Sequence, residues 1–251
     1  MDEVWLVRGA IALYAAAVAG ARRERLAGAA LLGALALHTL ALALRWNALG
    51  HGPFTTMHEI LSSNLWSLAL VFACAWWALP EVRGALRAAA PVWAVLALWV
   101  LVTDAAPGHF PPTYHTPLLY LHTLVGKLFL GLLLVALALG VRGALERGPK
   151  APRLDELAHR FAAFAFVFET LMLIVGAVWA QDAWGRYWGW DPLESWAFLT
   201  WLALAATLHA RLAFRLSPRA HALWLGGVFV IAFLTFFGVP FLSETPHKGA
   251  I

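Results

Sequence analysis

The sequence predicts an all-α, polytopic integral membrane protein, a helical bundle of about eight transmembrane helices. Of its 251 residues, 62% are hydrophobic and only 13% are charged, and the mean hydropathy is +0.73. Long apolar runs approach the roughly 20 residues that an α-helix needs to cross a bilayer core. These runs are rich in Ala and Leu, which favours helices over the strands of a barrel. An ordinary soluble domain is excluded by this composition.

Eight apolar runs define the predicted spans, and we interpret residues 1–251 as a single membrane domain. The first run starts almost at Met1 and lacks the basic segment and cleavage site of a signal peptide, so we expect it to be retained. The fourth run is shorter than the others and ends at Asp104. The predicted spans are 4–20, 26–44, 61–79, 89–103, 117–141, 161–180, 196–214 and 221–242.

The positive charges are strongly biased to one side of these spans. Thirteen of the 18 Lys and Arg residues follow the first, third, fifth and seventh spans. By the positive-inside rule this side faces the cytoplasm, so both termini face outward. We therefore expect a multi-pass protein of the cytoplasmic (inner) membrane. The same bias accounts for the sequence pI of 9.6, and no nucleic acid partner is needed to explain it.

The segment between the sixth and seventh spans, residues 179–196, is the most unusual part of the chain, and we call it the Trp-rich segment. It holds five Trp, one Tyr, two Gly and three acidic residues. Aromatic belts at membrane interfaces usually place single Trp or Tyr residues. A dense aromatic shelf interrupted by Gly instead suits a flat, apolar, conjugated ligand. We predict an outward binding loop over residues 181–195.

The acidic residues of the Trp-rich segment allow two interpretations. Asp191 followed by Pro192 is typical of a helix N-cap with Pro at the first helical position, and Glu194 would complete a capping box. Such a helix N-terminus would favour an anionic group at the loop. The alternative is acid or base catalysis by Asp182, Asp191 or Glu194.

Ten histidines and a single cysteine, Cys74, favour imidazole chemistry and exclude disulfide exchange through this chain alone. His122 and His247 lie near the outer ends of the fifth and eighth spans, on the side of the Trp-rich segment. Two imidazoles above and below a flat macrocycle are a common arrangement for haem iron. His209 and His38 lie deeper, where a histidine usually marks a site. His38 equally fits a hydrogen bond between helices.

Residues 176–201 resemble the WWD signature of haem-handling membrane proteins. The ending Asp191-Pro192-x-Glu194-x-Trp196 is similar to the CcsA (ResC) branch of cytochrome c biogenesis. Further segments that resemble this family are Gly50-His51-Gly52-Pro53, residues 118–122, Leu154-Asp155-Glu156-Leu157, Leu208-His209-Ala210-Arg211 and Phe237-Gly238-Val239.

This resemblance implies a ligand set for haem b, as both substrate and bound ligand. His122 and His247 would be axial ligands of a haem at the outer face, and His209 a ligand of a haem within the membrane. The second membrane ligand would come from a CcsB-type partner subunit or, within this chain, from His38. The resemblance places the outer haem on Trp179, Trp184, Trp188, Trp190, Asp191, Trp196 and Arg186.

The implied function is cytochrome c maturation of the type called system II. A cytochrome c haem lyase, or synthase, would join haem vinyl groups to the thiols of a Cys-x-x-Cys-His motif in apocytochrome c. The chain would hold a vinyl group beside a thiolate and tune the iron. Membrane lipid and thiol-reducing proteins are further expected partners.

Two alternatives to a haem lyase remain open. The first is a haem exporter or chaperone of the CcmC type, which presents haem without ligating it. The second is a b-type electron-transfer cytochrome, which needs histidine pairs at equal depth. His38 and His209 lie about 18 Å and about 10 Å from the inner surface at the helical rise, so the second alternative is disfavoured.

Two opposite charges are expected at matching depth in neighbouring spans. Lys127 and Glu169 lie about 15 Å and about 16 Å from the outer ends of their antiparallel spans at the helical rise. Each charge alone is costly there, so we predict that they pair. The alternative for Lys127 is a haem propionate, although Arg186 and Lys248 lie outside and are better placed for one.

Overall fold

The structure is a computed structural model that describes residues 3–242, apart from the side chain of Thr113. Within that range there are ten α-helices and one short 3-10 helix at Pro112–Tyr114, and there is no strand. The α-helices are α1 (Glu3–Ala19), α2 (Glu24–Leu49), α3 (Met57–Ala78), α4 (Pro80–Arg83), α5 (Leu86–Val102), α6 (Pro117–Leu145), α7 (Ala151–Trp184), α8 (Pro192–Ala213), α9 (Pro218–Phe237) and α10 (Val239–Leu242).

Six of these helices, α2, α3 and α6 to α9, are long and apolar enough to cross a membrane. The helices α1 and α5 have 17 residues each, at the short end of what a bilayer core needs. Each of the eight predicted spans coincides with one of these eight helices. The prediction of an all-α, polytopic membrane bundle is therefore confirmed.

The described residues fall into two compact units, residues 3–110 and residues 111–242. In the N-terminal unit, α1 packs along α2, and α3 contacts both α2 and α5. The interior of this unit is built on α3, where Leu61, Leu65, Leu68 and Phe72 recur at helical spacing and are fully buried. The prediction of one domain over the whole chain stays a prediction.

A buried ion network closes one end of the N-terminal unit. The Arg45 guanidinium of α2 donates to Glu59 of α3 at 2.9 Å, to Glu3 of α1 at 3.1 Å and to the Ala105 carbonyl at 3.0 Å. Glu59 also forms a capping box with Thr56 at the start of α3. A buried charge is tolerated only when it is paired, so this network fixes three helices and the segment after α5.

In the C-terminal unit, α6 and α7 form a long antiparallel hairpin, and α9 packs against both α6 and α8. Polar contacts join its helices within the membrane-spanning region. The Trp201 indole of α8 donates to the Thr170 hydroxyl of α7 at 2.9 Å, and the hydroxyls of Thr200 and Thr235 lie 3.2 Å apart between α8 and α9. Such hydrogen bonds help to fix neighbouring helices in a bilayer.

Helix α7 extends further than its predicted span, residues 161–180. It begins at Ala151 and ends at Trp184. Residues 151–160 are too polar to belong to the apolar run that defined the predicted span. Their polar side chains form ion pairs, Glu156 with Arg160 one turn on and Asp155 with residues of other helices.

The predicted Lys127–Glu169 ion pair does not form. Glu169 is fully buried, and neither of its carboxyl oxygens has a hydrogen-bond partner among the described residues. Lys127 is only half-buried. Equal depth was an insufficient criterion because it leaves open the direction in which each side chain leaves its helix.

Candidate functional site

The Trp-rich segment joins α7 to α8 within the C-terminal unit. Helix α7 is terminated by Gly185, the residue after Trp184, whose φ of +74° is a left-handed conformation that glycine adopts without a steric cost. The Gly185 amide donates to the Gln181 carbonyl at 2.9 Å. Residues 185–191 are therefore the non-helical part of the predicted loop. Trp179 and Trp184 lie on the last turns of α7, and Trp188 and Trp190 lie on the connection.

The start of α8 confirms the capping interpretation of the acidic residues. An Asp191 carboxylate oxygen accepts a hydrogen bond from the Glu194 amide at 2.8 Å. The Glu194 carboxylate accepts one from the Asp191 amide at 3.2 Å and one from the Gly189 amide at 2.7 Å. Both carboxylates thus organise the connection and the first turn of α8.

His122 lies on the first turns of α6 and is oriented by α7. Its Nδ1 is 3.0 Å from the Met172 carbonyl oxygen. A carbonyl can only accept, so Nδ1 carries a proton, and in the neutral imidazole Nε2 then carries the lone pair. The ring lies directly over Gly176, where an added Cβ would be 2.8 Å from the His122 Cε1 atom. This tautomer and this anchoring are typical of an imidazole that ligates a metal through Nε2.

An aromatic cluster adjoins His122 through Trp179, on the side of the Trp-rich segment. The Trp179 ring stacks on the His122 ring at a centroid distance of 5.8 Å and an interplanar angle of 19°. Trp184 meets Trp179 edge-on at 4.9 Å, and Tyr114 meets Trp179 edge-on at 5.1 Å. Burial raises the pKa of the Tyr114 hydroxyl to about 12. Tyr114 could not be predicted from the sequence, because a single Tyr in a Pro-rich connection carries no pattern.

A second aromatic cluster lies on the connection and the start of α8. Trp188 and Trp190 meet edge-on at 5.5 Å, and Trp190 meets Phe198 at 5.9 Å. Trp190 has a φ of 56°, a backbone conformation that is costly for a residue other than glycine. It is followed directly by Asp191, the N-cap residue of α8, whose hydrogen bonds hold the backbone in place. The indole N–H of Trp188 is buried without a hydrogen-bond acceptor among the described residues. The other predicted shelf residue of α8, Trp196, is half-buried.

The remaining predicted site residues occupy different places. Arg186 is exposed and folds back over Gly189, where an added Cβ would lie 2.7 Å from the guanidinium carbon. His209 is exposed on α8, about 27 Å along the helix from Asp191 at 1.5 Å per residue. It therefore does not join the aromatic clusters. His247 and Lys248 lie outside the described residues.

His38 is fully buried in the N-terminal unit. Its Nε2 lies 2.9 Å from the Ser62 hydroxyl of α3, and its Nδ1 lies 3.3 Å from the Tyr14 hydroxyl of α1. This is the geometry of a hydrogen-bonding residue between helices, which was one of its two interpretations. A role of His38 as a haem ligand stays a prediction.

A polar lock holds the opposite end of α7 in the C-terminal unit. The Arg211 guanidinium of α8 binds one Asp155 carboxylate oxygen at 2.8 Å and 3.2 Å, and His221 Nδ1 of α9 binds the other at 2.7 Å. Asp155 and Arg211 belong to two of the segments that carry the family resemblance. The structure brings these two segments together. It also shows that His221, for which the sequence carries no signal, is a third member of this contact.

Comparisons with known proteins agree with this architecture. The family model described as cytochrome C assembly protein matches residues 25–247. The cytochrome c biogenesis protein CcsA of Gloeobacter violaceus is 42% identical over 105 residues, which are 42% of this chain and 31% of that relative. CcsA of Chlamydomonas reinhardtii is 31% identical over 230 residues, covering 84% of this chain and 65% of the relative.

The chain thus spans 31% to 65% of the length of these curated relatives. Among solved structures, the cytochrome c haem lyase CcmF matches 99% of this chain and 48% of its own, with a TM-score of 0.73. At 18% identity this likeness establishes a shared helical fold and no more.

Proposed function

This chain belongs to the cytochrome c assembly protein family, and from that premise we propose that it handles haem for cytochrome c maturation. The observation that carries the proposal is the orientation of His122. Its Nδ1 is bound to the Met172 carbonyl, its ring stacks on Trp179, and its Nε2 carries the lone pair that an iron ligand needs.

The proposed substrate site takes a haem b at the aromatic clusters, on the outer side of a cytoplasmic membrane. His122 and His247 are the proposed axial ligands, and the role of His247 rests on the family resemblance. The Trp rings supply a flat apolar surface. The exposed Arg186 guanidinium is suited to a propionate.

His209 is the proposed ligand of a haem within the membrane. It is exposed on a membrane-spanning helix, where a second protein chain can reach it. Both nitrogens of His38, in contrast, lie near hydroxyl groups of this chain. We therefore assign the second membrane ligand to a CcsB-type partner subunit rather than to His38.

The proposed reaction forms the two thioether bonds of cytochrome c. Each thiol of the Cys-x-x-Cys-His motif adds across one haem vinyl group, so that sulfur bonds to one carbon and hydrogen to the other. No oxidant is consumed, but both thiols have to be reduced, which gives thiol-reducing proteins a place as partners. The contribution of this chain is to hold the haem in position for attack.

A ligation assay separates a haem lyase from a haem carrier of the CcmC type. The haem-loaded chain, with its partner subunit, is incubated with a reduced Cys-x-x-Cys-His peptide of apocytochrome c. We expect haem that stays attached to the peptide after acid–acetone extraction, and no attachment with a Ser-x-x-Ser-His peptide. Haem that is transferred but remains extractable would contradict ligation and support the carrier.

A further inference from the structure

A groove in the N-terminal unit lies outside the sites described above. Helices α2, α3 and α4 border it, and its volume is about 630 Å³. It lies at the end of the unit that carries the Arg residues following the first and third spans. The residues that shape it include Arg25, Gly28, Leu32, Trp76, Trp77 and Arg83.

The floor of this groove is apolar and aromatic. A Cβ added to Gly28 would lie 2.9 Å from the outer edge of the Trp76 ring, so α2 approaches Trp76 with no side chain between them. Trp77 and Leu32 remain exposed, at 43% and 59%. A floor of this kind accepts a hydrocarbon chain.

The rim of the groove is cationic. Arg83 is held in place by an ion pair with Glu24 at 3.1 Å and by the Trp76 ring, which lies 5.4 Å below its guanidinium carbon. Arg25 is exposed and makes no ion pair with a described residue. Two arginines and one glutamate line the groove, so one positive charge is left without a partner at its rim.

We propose that this groove binds an anionic phospholipid. The phosphate lies between Arg25 and Arg83, and an acyl chain follows Leu32 and Trp77. Basic pockets between membrane helices on the cytoplasmic side are suited to such headgroups. Haem is disfavoured as the occupant, because no described residue lining the groove is a His, Cys, Met or Tyr that could ligate its iron.

The test is native mass spectrometry of the full chain, titrated with phosphatidylglycerol or with phosphatidylcholine of the same acyl chains. We expect preferential retention of phosphatidylglycerol, and about fivefold weaker retention in Arg25→Gln, the effect of one arginine near an anionic headgroup. Arg219→Gln is the matched control, because Arg219 is exposed on α9 and lies outside the groove.

A second variant tests the groove without changing its charge. Ala29 is exposed in the lining, and Ala29→Trp fills the space, so we expect it to lower the retention of both lipids. Equal retention of the two lipids by the unaltered chain would overturn the proposal. So would equal losses in Arg25→Gln and Arg219→Gln, or displacement of phosphatidylglycerol by equimolar haem, which would assign the groove to haem.

Discussion

His122 is oriented by two features of α7, the Met172 carbonyl and the absence of a side chain at Gly176. The carbonyl fixes which ring nitrogen is protonated, and the glycine lets the ring lie flat against the helix. Removing a group that orients a metal ligand typically lowers metal affinity about 10- to 100-fold. Gly176 is therefore a positioning residue of the proposed haem site, although it offers no ligand.

The substitution Gly176→Ala tests this role. The added methyl group would lie 2.8 Å from the His122 Cε1 atom, so the ring has to move away from Met172. We expect about tenfold weaker haem binding, the usual effect of losing an orienting contact, together with a shifted Soret band. Gly227→Ala is the control, because an added Cβ there meets nothing within 4 Å. Equal haem binding by both variants would contradict the positioning role.

At the scale of helices, the C-terminal unit is fixed by polar side chains at the two ends of α7. The Asp191–Glu194 capping box organises the connection to α8 at one end. At the other end, Asp155 binds Arg211 of α8 and His221 of α9. The aromatic clusters are thus carried by helices that are locked together at the far end.

The substitution Asp155→Asn tests this lock. It removes the charge that both Arg211 and His221 bind, and leaves the partly buried guanidinium with only its longer contact to Glu156 at 3.4 Å. We expect a loss of about 2 kcal/mol in stability, from the usual strength of charged hydrogen bonds. Thermal unfolding in detergent measures it. Glu24→Gln is the control with an expected loss of about 0.5 kcal/mol, because its ion pair with Arg83 is largely exposed and lies outside this network. Similar losses for the two variants would contradict the lock.

The sequence predicted the helices well and their polar contacts poorly. Apolar runs of membrane length identified eight helices, and Asp191-Pro192 with Glu194 identified the α8 cap, because both signals are local. Three features could not be predicted because they depend on residues from distant helices, and no local sequence pattern records such contacts. They are the helical residues 151–160, the burial of Arg45 and the Asp155–His221 contact. Lys127 and Glu169 matched in depth, but depth does not specify which face of a helix a residue occupies.

At the scale of the whole molecule, the proposed transfer of haem depends on how the chain is oriented in the membrane. From the distribution of basic residues we propose that the α6–α7 connection lies in the cytoplasm and the Trp-rich segment outside. In that orientation, haem that reaches the outer clusters would have crossed the membrane, and the exposed His209 of α8 would lie on the cytoplasmic side of those clusters. If this orientation is correct, haem would reach the His209 site before the outer site on its way across the membrane.

Cysteine labelling of intact cells tests this orientation. In a Cys74→Ala background, Tyr187→Cys places a thiol in the Trp-rich segment and Gly148→Cys places one in the α6–α7 connection. We expect a membrane-impermeant maleimide to label only position 187, and to label both after permeabilisation. Labelling of position 148 in intact cells would reverse the proposed topology.

The absorption spectrum of the purified chain, alone and with the proposed CcsB-type partner subunit, is the most direct test of haem handling at two sites. His122→Ala and His209→Ala are compared with His109→Ala, an exposed histidine outside both sites. We predict two b-type haem populations, one lost in His122→Ala and the other in His209→Ala, with both retained in His109→Ala. A chain whose haem content and spectrum are the same in all three variants would contradict the account.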